Sequence, residues 1–526
     1  MVSGLSLTDS GDVLLRCPFD AVTAAQVRAI RPRGRWHPRQ GGWLFPFEAS
    51  RRLVDQFGAR FHTDPALVQR LADAAHPLPP LPPHRELVAA AALADPLADG
   101  RRLLAHQRAG ARWLLARRGA LLADEMGLGK TLTALAAARA LLRCGATRLL
   151  VLAPVAVHPH WRREALALGL QPQLLSWARL PRDLPPGGVV LLVDEAHCAQ
   201  NLEAQRSRRL LALARHPRIR AVWLLTGTPL RNGRPIQLLP LLMAIGHPLA
   251  RDRLAYEQLF CNGHWRSVGH RQVWDCQGAS RLPELERLLR PQLLHRRKVD
   301  CLDLPPKGRC FHPVVLAPPV QRAFQRACDR QVQAYRRRAA AGEVPADAEA
   351  LALLTVLRRL AGLYKLPAAV ALITALRDAG EPLVVFSSFV APLRQLQRRC
   401  GGLVLCGAVA PPERQRCLEA FQTGASDLLL CTYGVAGVGL GLQRASQVLL
   451  LERPWTPGDV DQAEDRCHRI GSRRPVTSHW LQLGFPDDLV DALVLSKADR
   501  IEVVLGRRRR TLQREPVVRM LRRLLQ

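Results

Sequence analysis

Short, unbroken apolar runs alternate with helical periodicity along most of this chain. Leu149–Leu152, Val189–Val193, Ala221–Leu225, Leu383–Phe386, Leu428–Cys431 and Val448–Leu451 each read as a strand buried on both faces. Helical patterns separate them, which predicts parallel sheets built from β-α-β units. The runs fall into two groups. Between the groups, residues 312–360 are rich in Arg, Ala and Gln and carry no strand pattern, so a helical insertion is expected. Pro-rich HPLPPLPPH (76–84) reads as a stiff linker after a small α+β module. No short-period repeat is present. The expected layout is a module at 1–75, a linker at 76–95, a first lobe at 96–300, a linker and helical insertion at 301–365, a second lobe at 366–500 and a basic tail at 501–526.

The most informative chemistry lies in LLADEMGLGKT, residues 121–131. An apolar strand runs into a Gly-rich turn, and Lys-Thr opens a helix. Backbone N–H groups at a helix N-terminus attract anionic oxygens. Gly127 and Gly129 let the backbone approach closely, Lys130 reaches terminal phosphates, and Thr131 can hold Mg²⁺. The strict phosphate-loop pattern has Gly five residues before Gly129, where this chain has Asp124. Gly-Lys-Thr alone is therefore a weak signal. About sixty residues on, GGVVLLVDEAHCAQN (187–201) places two carboxylates at the C-terminal end of a buried strand, where open α/β sheets bind ligands. Asp194 would hold Mg²⁺, and Glu195 would orient and deprotonate water. An acidic helix N-cap is the competing reading. The phosphate loop, in the right order before it, favours the catalytic one.

Composition adds a partner class. At 526 residues the chain is too long for one core, and no apolar run reaches the length of a membrane span. Its formal net charge is +32, which favours a polyanionic partner, nucleic acid first among them. Only five of the 76 basic side chains are Lys, a skew that points to a GC-rich genome. Arg336–Arg338 and Arg507–Arg510 are local basic clusters that suit a solvated face as well as a phosphate contact. The N-terminus lacks the basic-then-apolar pattern of a secretory signal. Thirteen Cys are scattered without a C-x-x-C pair, which argues against a structural zinc site and for reduced thiols. A cytoplasmic location, nucleoid-associated in a bacterium, is the matching expectation.

With these blocks placed, residues 103–480 resemble the Swi/Snf-type helicase-like ATPases of helicase superfamily 2. LLAHQRAGARWLL looks like the adenine-side motif, with Gln107 in the recognising position. ADEMGLGKT matches the family's phosphate loop, Asp124 included. VLAPVAVHPHWRREAL carries Trp161, VDEAHCAQN the acidic pair, and LLTGTPLRN resembles motif III. LVVFSSF resembles motif IV, residues 428–457 motif V, and DQAEDRCHRIGSRRPV motif VI. The stretch 275–309 and LTGTPLRNGRPIQLL are similar to the annealing-helicase (HARP-containing) branch, as is the N-terminal module. The resemblance implies two RecA-like lobes, ATP and Mg²⁺ as cofactors, and duplex or branched DNA as partner. Gly441 stands where motif V carries Asn, and Ser472 where motif VI ends in Gln; these departures are expected to touch DNA coupling more than hydrolysis.

In motif VI, Arg466 and Arg469 are three apart and would share one helix face, with Gln462 alongside. Two guanidiniums there can meet a γ-phosphate as arginine fingers; an ordinary basic helix has the same spacing. His197, Thr226 and Thr228 are expected to couple the site to motion. His197 has no second ligand at i+4, which disfavours a metal role, and the threonines also suit a turn cap before Pro229. In the N-terminal module, Trp36 and Trp43 flank a basic turn containing Arg39. They could stack on unpaired bases or simply fill a small core. The leading expectation is a DNA-dependent ATPase that translocates on duplex or branched DNA. A strand-separating DNA or RNA helicase and a nucleotide-binding scaffold without turnover are the alternatives.

Overall fold

The structure is a computed structural model that describes residues 3–8, 12–18, 20–68, 93, 96–144, 146–181, 184, 186–268, 271–340, 346–436 and 441–506. The Pro-rich stretch 76–84, residues 437–440 of the motif V block and Arg507–Arg510 lie outside the described residues.

The N-terminal module is a five-stranded mixed sheet. Its strands are β1 (Gly4–Leu7), β2 (Val13–Arg16), β3 (Arg35–His37), β4 (Gly42–Phe45) and β5 (His62–Thr63), in the order β3-β4-β2-β1-β5. Two helices, Ala21–Ala29 and Ser50–Phe57, close its own core around Phe45, Leu53 and Phe57. Arg52 pairs with Asp252 at 2.5 Å, and Arg215 lies 5.0 Å above the Phe47 ring, so the module docks on the first lobe.

The first lobe holds β6 (Gly119–Leu122), β7 (Arg148–Leu152), β8 (Gln173–Leu175), β9 (Val189–Val193) and β10 (Ile219–Leu225). A hairpin of β11 (His264–Val268) and β12 (Arg271–Asp275) follows, and β13 (Leu293–Leu294) returns to the sheet. The order is β13-β6-β10-β9-β7-β8, every pair parallel. All five residues of β9 are buried, because helices cover both sheet faces. The Ala-rich helix Lys130–Arg143 supplies much of one cover, since small side chains let it lie close to the strands.

The second lobe has β14 (Lys307–Pro313), β15 (Leu383–Ser387), β16 (Leu403–Leu405), β17 (Leu428–Thr432), β18 (Gln447–Leu450) and β19 (Val476–Gln482). They form another all-parallel sheet, ordered β14-β19-β18-β15-β17-β16. Helices Pro318–Ala340 and Ala346–Tyr364 make the helical insertion and pack Phe324 and Cys328 on Leu357 and Ala361. β14 lies inside the stretch 301–365 expected to be linker and insertion, so the chain enters the second sheet before it leaves for the helices. The helix Asp487–Val504 returns, and Val504 packs in the first lobe's core. Among the described residues no single helix is long and apolar enough to cross a membrane.

Candidate active site

The phosphate loop spans residues 123–129, between β6 and the helix that Lys130 opens. Gly129 caps that helix at φ 76°, and Gly127 sits at φ 88°, a left-handed backbone that favours glycine. A Cβ on Gly127 would stand 3.1 Å from the Cβ of Arg469, so the second lobe presses directly on this loop. The Lys130 ammonium donates to the carbonyls of Asp124 (2.7 Å) and Glu125 (3.2 Å), curled inside its own loop. Thr131, beside it, is half-buried at the first turn.

Asp124 has its own reason to replace glycine. Its buried carboxylate accepts from Arg296 Nε (3.0 Å) and Nη2 (2.5 Å), and the same guanidinium reaches the His106 carbonyl. Arg296 thus ties the loop to the helix that carries Gln107. Gln107 is buried, accepts from the Leu104 N–H at 3.0 Å and reaches the Leu128 carbonyl at 3.4 Å, so it leans on the phosphate loop.

The acidic pair follows β9. Asp194 Oδ2 accepts from the indole N–H of fully buried Trp161 at 2.8 Å, and Oδ1 accepts from the Glu195 N–H at 2.9 Å. Burial and the adjacent Glu195 push the Asp194 carboxyl up to about 6. Burial works against the Glu195 carboxylate too, yet His197, Arg466 and Lys130 hold it below the usual range. Glu195 stands at φ 49°, a left-handed conformation uncommon for a side chain of its size. His197 Nδ1 lies 3.2 Å from Glu195 Oε2 and 3.2 Å from Thr226 Oγ1. Thr226 Oγ1 also accepts from the Thr228 N–H at 3.1 Å, so the turn cap and the link to the acidic pair share one hydroxyl. Gln200 Nε2 donates to the Pro229 carbonyl at 2.6 Å, a second tie between the acidic segment and motif III.

Arg466 and Arg469 do not share a helix. The helix Pro457–Glu464 carries Gln462, half-exposed, and ends before both arginines. Past it, the N–H groups of Cys467 and His468 fold back on the Glu464 carbonyl, while Asp465 is drawn out to Lys298 at 2.8 Å and Lys307 at 2.9 Å. The turn, not a helix face, aims the guanidiniums. Ser472 holds that turn: its hydroxyl accepts from the Arg469 N–H at 3.1 Å and donates to the Cys467 carbonyl at 2.8 Å. The departure from Gln at this position therefore bears on the arginine loop itself.

The lobes meet along this line. Lys298 Nζ donates to the His468 carbonyl at 2.7 Å, Arg231 pairs with Asp459 at 2.8 Å, and a Cβ on Gly458 would lie 2.6 Å from Thr228 Cγ2. Burial pushes Lys130 down, pushes Arg466 down to about 10, and pushes Arg469 down, with Arg163 adding repulsion to the last. Arg466 Nε is buried without a hydrogen-bond partner. Three desolvated cations and one orphaned donor around two carboxylates suit a polyanion with its divalent cation. Sequence reasoning missed Arg296 and Lys298 as site-shaping residues and gave Trp161 no role.

The tryptophans divide. Trp43 packs against the module's core, whereas Trp36 on the neighbouring strand is 47% exposed, edge-on at 5.8 Å. Arg39 lies in the turn Pro38–Gln40, and its side chain is outside the described residues.

A phosphate-loop lobe closed against an arginine-bearing lobe defines a two-lobed, helicase-like nucleotide enzyme. Residues 106–174 and 188–362 match the family described as SNF2-related domain, and residues 365–471 match the helicase conserved C-terminal domain. The chain belongs to the Swi/Snf-type helicase-like ATPases. The mouse "DNA annealing helicase and endonuclease ZRANB3" is 29% identical over 452 residues, covering 78% of this chain and 41% of that protein. The bovine "SWI/SNF-related matrix-associated actin-dependent regulator of chromatin subfamily A-like protein 1" is 28% identical over 441 residues, 75% of this chain and 44% of that one. The chain thus spans less than half the length of these relatives. A solved structure, "Sulfolobus solfataricus SWI2/SNF2 ATPase core in complex with dsDNA", is 21% identical, covers 76% of this chain and 92% of its own, and superposes with a TM-score of 0.35.

Proposed function

We propose that this chain is a DNA-dependent ATPase that couples ATP hydrolysis to translocation on duplex or branched DNA, with fork remodelling, strand reannealing or protein displacement as outcomes. The observation that carries the reading is the placement of Lys130 and Arg466 on opposite lobes around one acidic pair, with Glu195 among the charges acting on both. ATP bound there bridges the lobes. Its greater affinity for the closed arrangement supplies the drive for closure, and hydrolysis releases it. Lys130 and the two arginines meet the phosphates, Thr131 and Asp194 hold Mg²⁺, and Glu195 orients and deprotonates water. The metal supplies charge neutralisation on the transferring phosphoryl group. The +32 charge and the similarity to the mouse DNA annealing helicase and endonuclease support DNA as the partner.

ATP hydrolysis measured alone and with duplex, forked or single-stranded DNA tests this. Stimulation by duplex or forked DNA, without separation of the strands of a blunt duplex, is the expected result. Strand separation would replace the proposal with a true helicase, and no turnover under any condition would leave a nucleotide-binding scaffold.

Trp161 makes a separate prediction. Trp161→Phe keeps an aromatic ring, though a smaller one, and removes the N–H that steadies Asp194. Loss of such a supporting hydrogen bond costs about 10- to 100-fold in metal affinity. The Mg²⁺ concentration for half-maximal turnover is therefore expected to rise by about that factor, with little change at saturating Mg²⁺.

A further inference from the structure

We propose that Cys310, His312 and His479 form a Zn²⁺ site on the outer edge of the second lobe's sheet. No zinc-type spacing announces it, because Cys310 and His312 are two apart on β14 while His479 lies 167 residues from His312. The parallel register sets Cys310 opposite His479, and the pleat turns His312 to the same face. One ligand atom from each of the three lies within 4.8 Å of the others, the only such His/Cys/Asp/Glu group among the described residues. His312 Nε2 and His479 Nδ1 are 2.9 Å apart.

Two further observations favour an ion over a bare His–His hydrogen bond. The first is the support behind His479. Its Nε2 lies 2.9 Å from Gln447 Oε1 on β18, so Nε2 carries the proton and Nδ1 keeps its lone pair on the side of Cys310 and His312. Metal-ligating imidazoles are oriented this way by an acceptor behind them. The second is the poverty of β14 as a strand. It is the edge of the sheet, and six of its seven residues are exposed. On one face, Arg309 and Phe311 lie against Trp480 at 4.8 and 5.3 Å. On the other face, Cys310 and His312 stand beside His479 of the neighbouring strand. Tetrahedral Zn²⁺ with one thiolate and two imidazoles asks for about 3.3 Å between nitrogens and about 3.5 Å from nitrogen to sulfur, leaving one position for water. The two nitrogens, 2.9 Å apart, need to open slightly, and the sulfur, within 4.8 Å of both, needs to move in by little more than about 1 Å at most. The ion would pin the strand by which the chain enters the second lobe, whose Lys307 and Arg309 hold Glu464 and Asp465 just before Arg466.

The test uses the purified full chain, stripped with chelator and titrated with Co²⁺ as a spectroscopic probe. A tetrahedral visible spectrum with a thiolate charge-transfer band, displaced by Zn²⁺, is expected. Cys310→Ser abolishes the charge-transfer band, and His312→Gln weakens binding; Cys198→Ser, near the acidic pair, leaves the spectrum intact. Gln447→Leu lowers affinity by about 10- to 100-fold. Zn²⁺ raises the unfolding temperature of the wild type and not of Cys310→Ser. Both edge-strand variants must keep wild-type far-UV circular dichroism, and either one that folds decides the matter. An octahedral spectrum only, or one unchanged in either variant that folds, overturns the site and leaves a His–His hydrogen bond.

Discussion

Arg466→Ala is expected to cut ATP turnover by about 10³- to 10⁵-fold, the worth of an arginine finger, while ATP binding stays within an order of magnitude of wild type. In transition-state terms this is about 4–7 kcal/mol. The asymmetry follows from position. Arg466 is half-buried with its Nε buried and unpartnered, and its charge acts on Glu195 and Asp194. Ground-state phosphates already have Lys130 and the loop's N–H groups, whereas charge developing during transfer calls on the second lobe. Fluorescent-nucleotide binding and steady-state hydrolysis on one preparation separate the two effects. Equal turnover in the variant would remove the two-lobe mechanism. Loss of binding and turnover together would make Arg466 a structural cation instead. Arg466→Lys tests geometry separately, since an ammonium keeps charge but lacks the planar fork.

Much of the fold was legible because burial on both faces leaves a plain signature. All six apolar runs read as strands are strands, with ends within two residues. Three strands of the second sheet escaped, the three-residue β16 because it is too short to leave a pattern. β19, VTSHWLQ, buries the polar side chains Ser478, which accepts from the Trp480 indole, and His479, which meets Gln447 on β18, so its apolar content is low. β14 is an exposed edge held by ion pairs and rings. Hydropathy sees neither device. The two-residue β13 was invisible for another reason: its role is to extend the ladder past the sheet. Ala123 and Glu125 donate to the Leu294 and Arg296 carbonyls, which is how Arg296 reaches Asp124.

The arginine loop shows where local spacing misleads. Three-residue spacing implies a shared face only if the helix continues, and Asp465 leaves it to bind two lysines from far along the chain. A signal for those lysines did exist. In a chain with five Lys among 76 basic residues, each Lys donates to a carbonyl or a carboxylate. Lys130 reaches Asp124 and Glu125, Lys298 and Lys307 reach Asp465, Lys365 reaches Asp487 and Leu451, and Lys497 reaches Trp455. A compact ammonium fits a narrow carbonyl pocket that a planar guanidinium does not. Where composition is skewed to Arg, the rare Lys marks such positions.

Glu195→Gln is expected to lower turnover by about 10²- to 10⁴-fold, the usual contribution of a positioned general base. Nucleotide affinity should hold or tighten, because a negative charge leaves the neighbourhood of Lys130 and Arg466 and no longer repels phosphate. The amide keeps the carboxylate's size, so the left-handed backbone at φ 49° is preserved. That backbone costs of order 1–3 kcal/mol, held in place because the Glu195 N–H is fixed by Asp194. Glu195→Gly therefore separates chemistry from strain. Both variants lose the base and should be equally inactive, yet only the glycine variant relieves the backbone and should unfold at a higher temperature than the Gln variant. Two further outcomes decide against the assignment. A Gln variant that hydrolyses ATP at the wild-type rate shows that the base lies elsewhere. A Gly variant that retains turnover while Gln does not shows that water reaches the phosphate without a carboxylate to hold it.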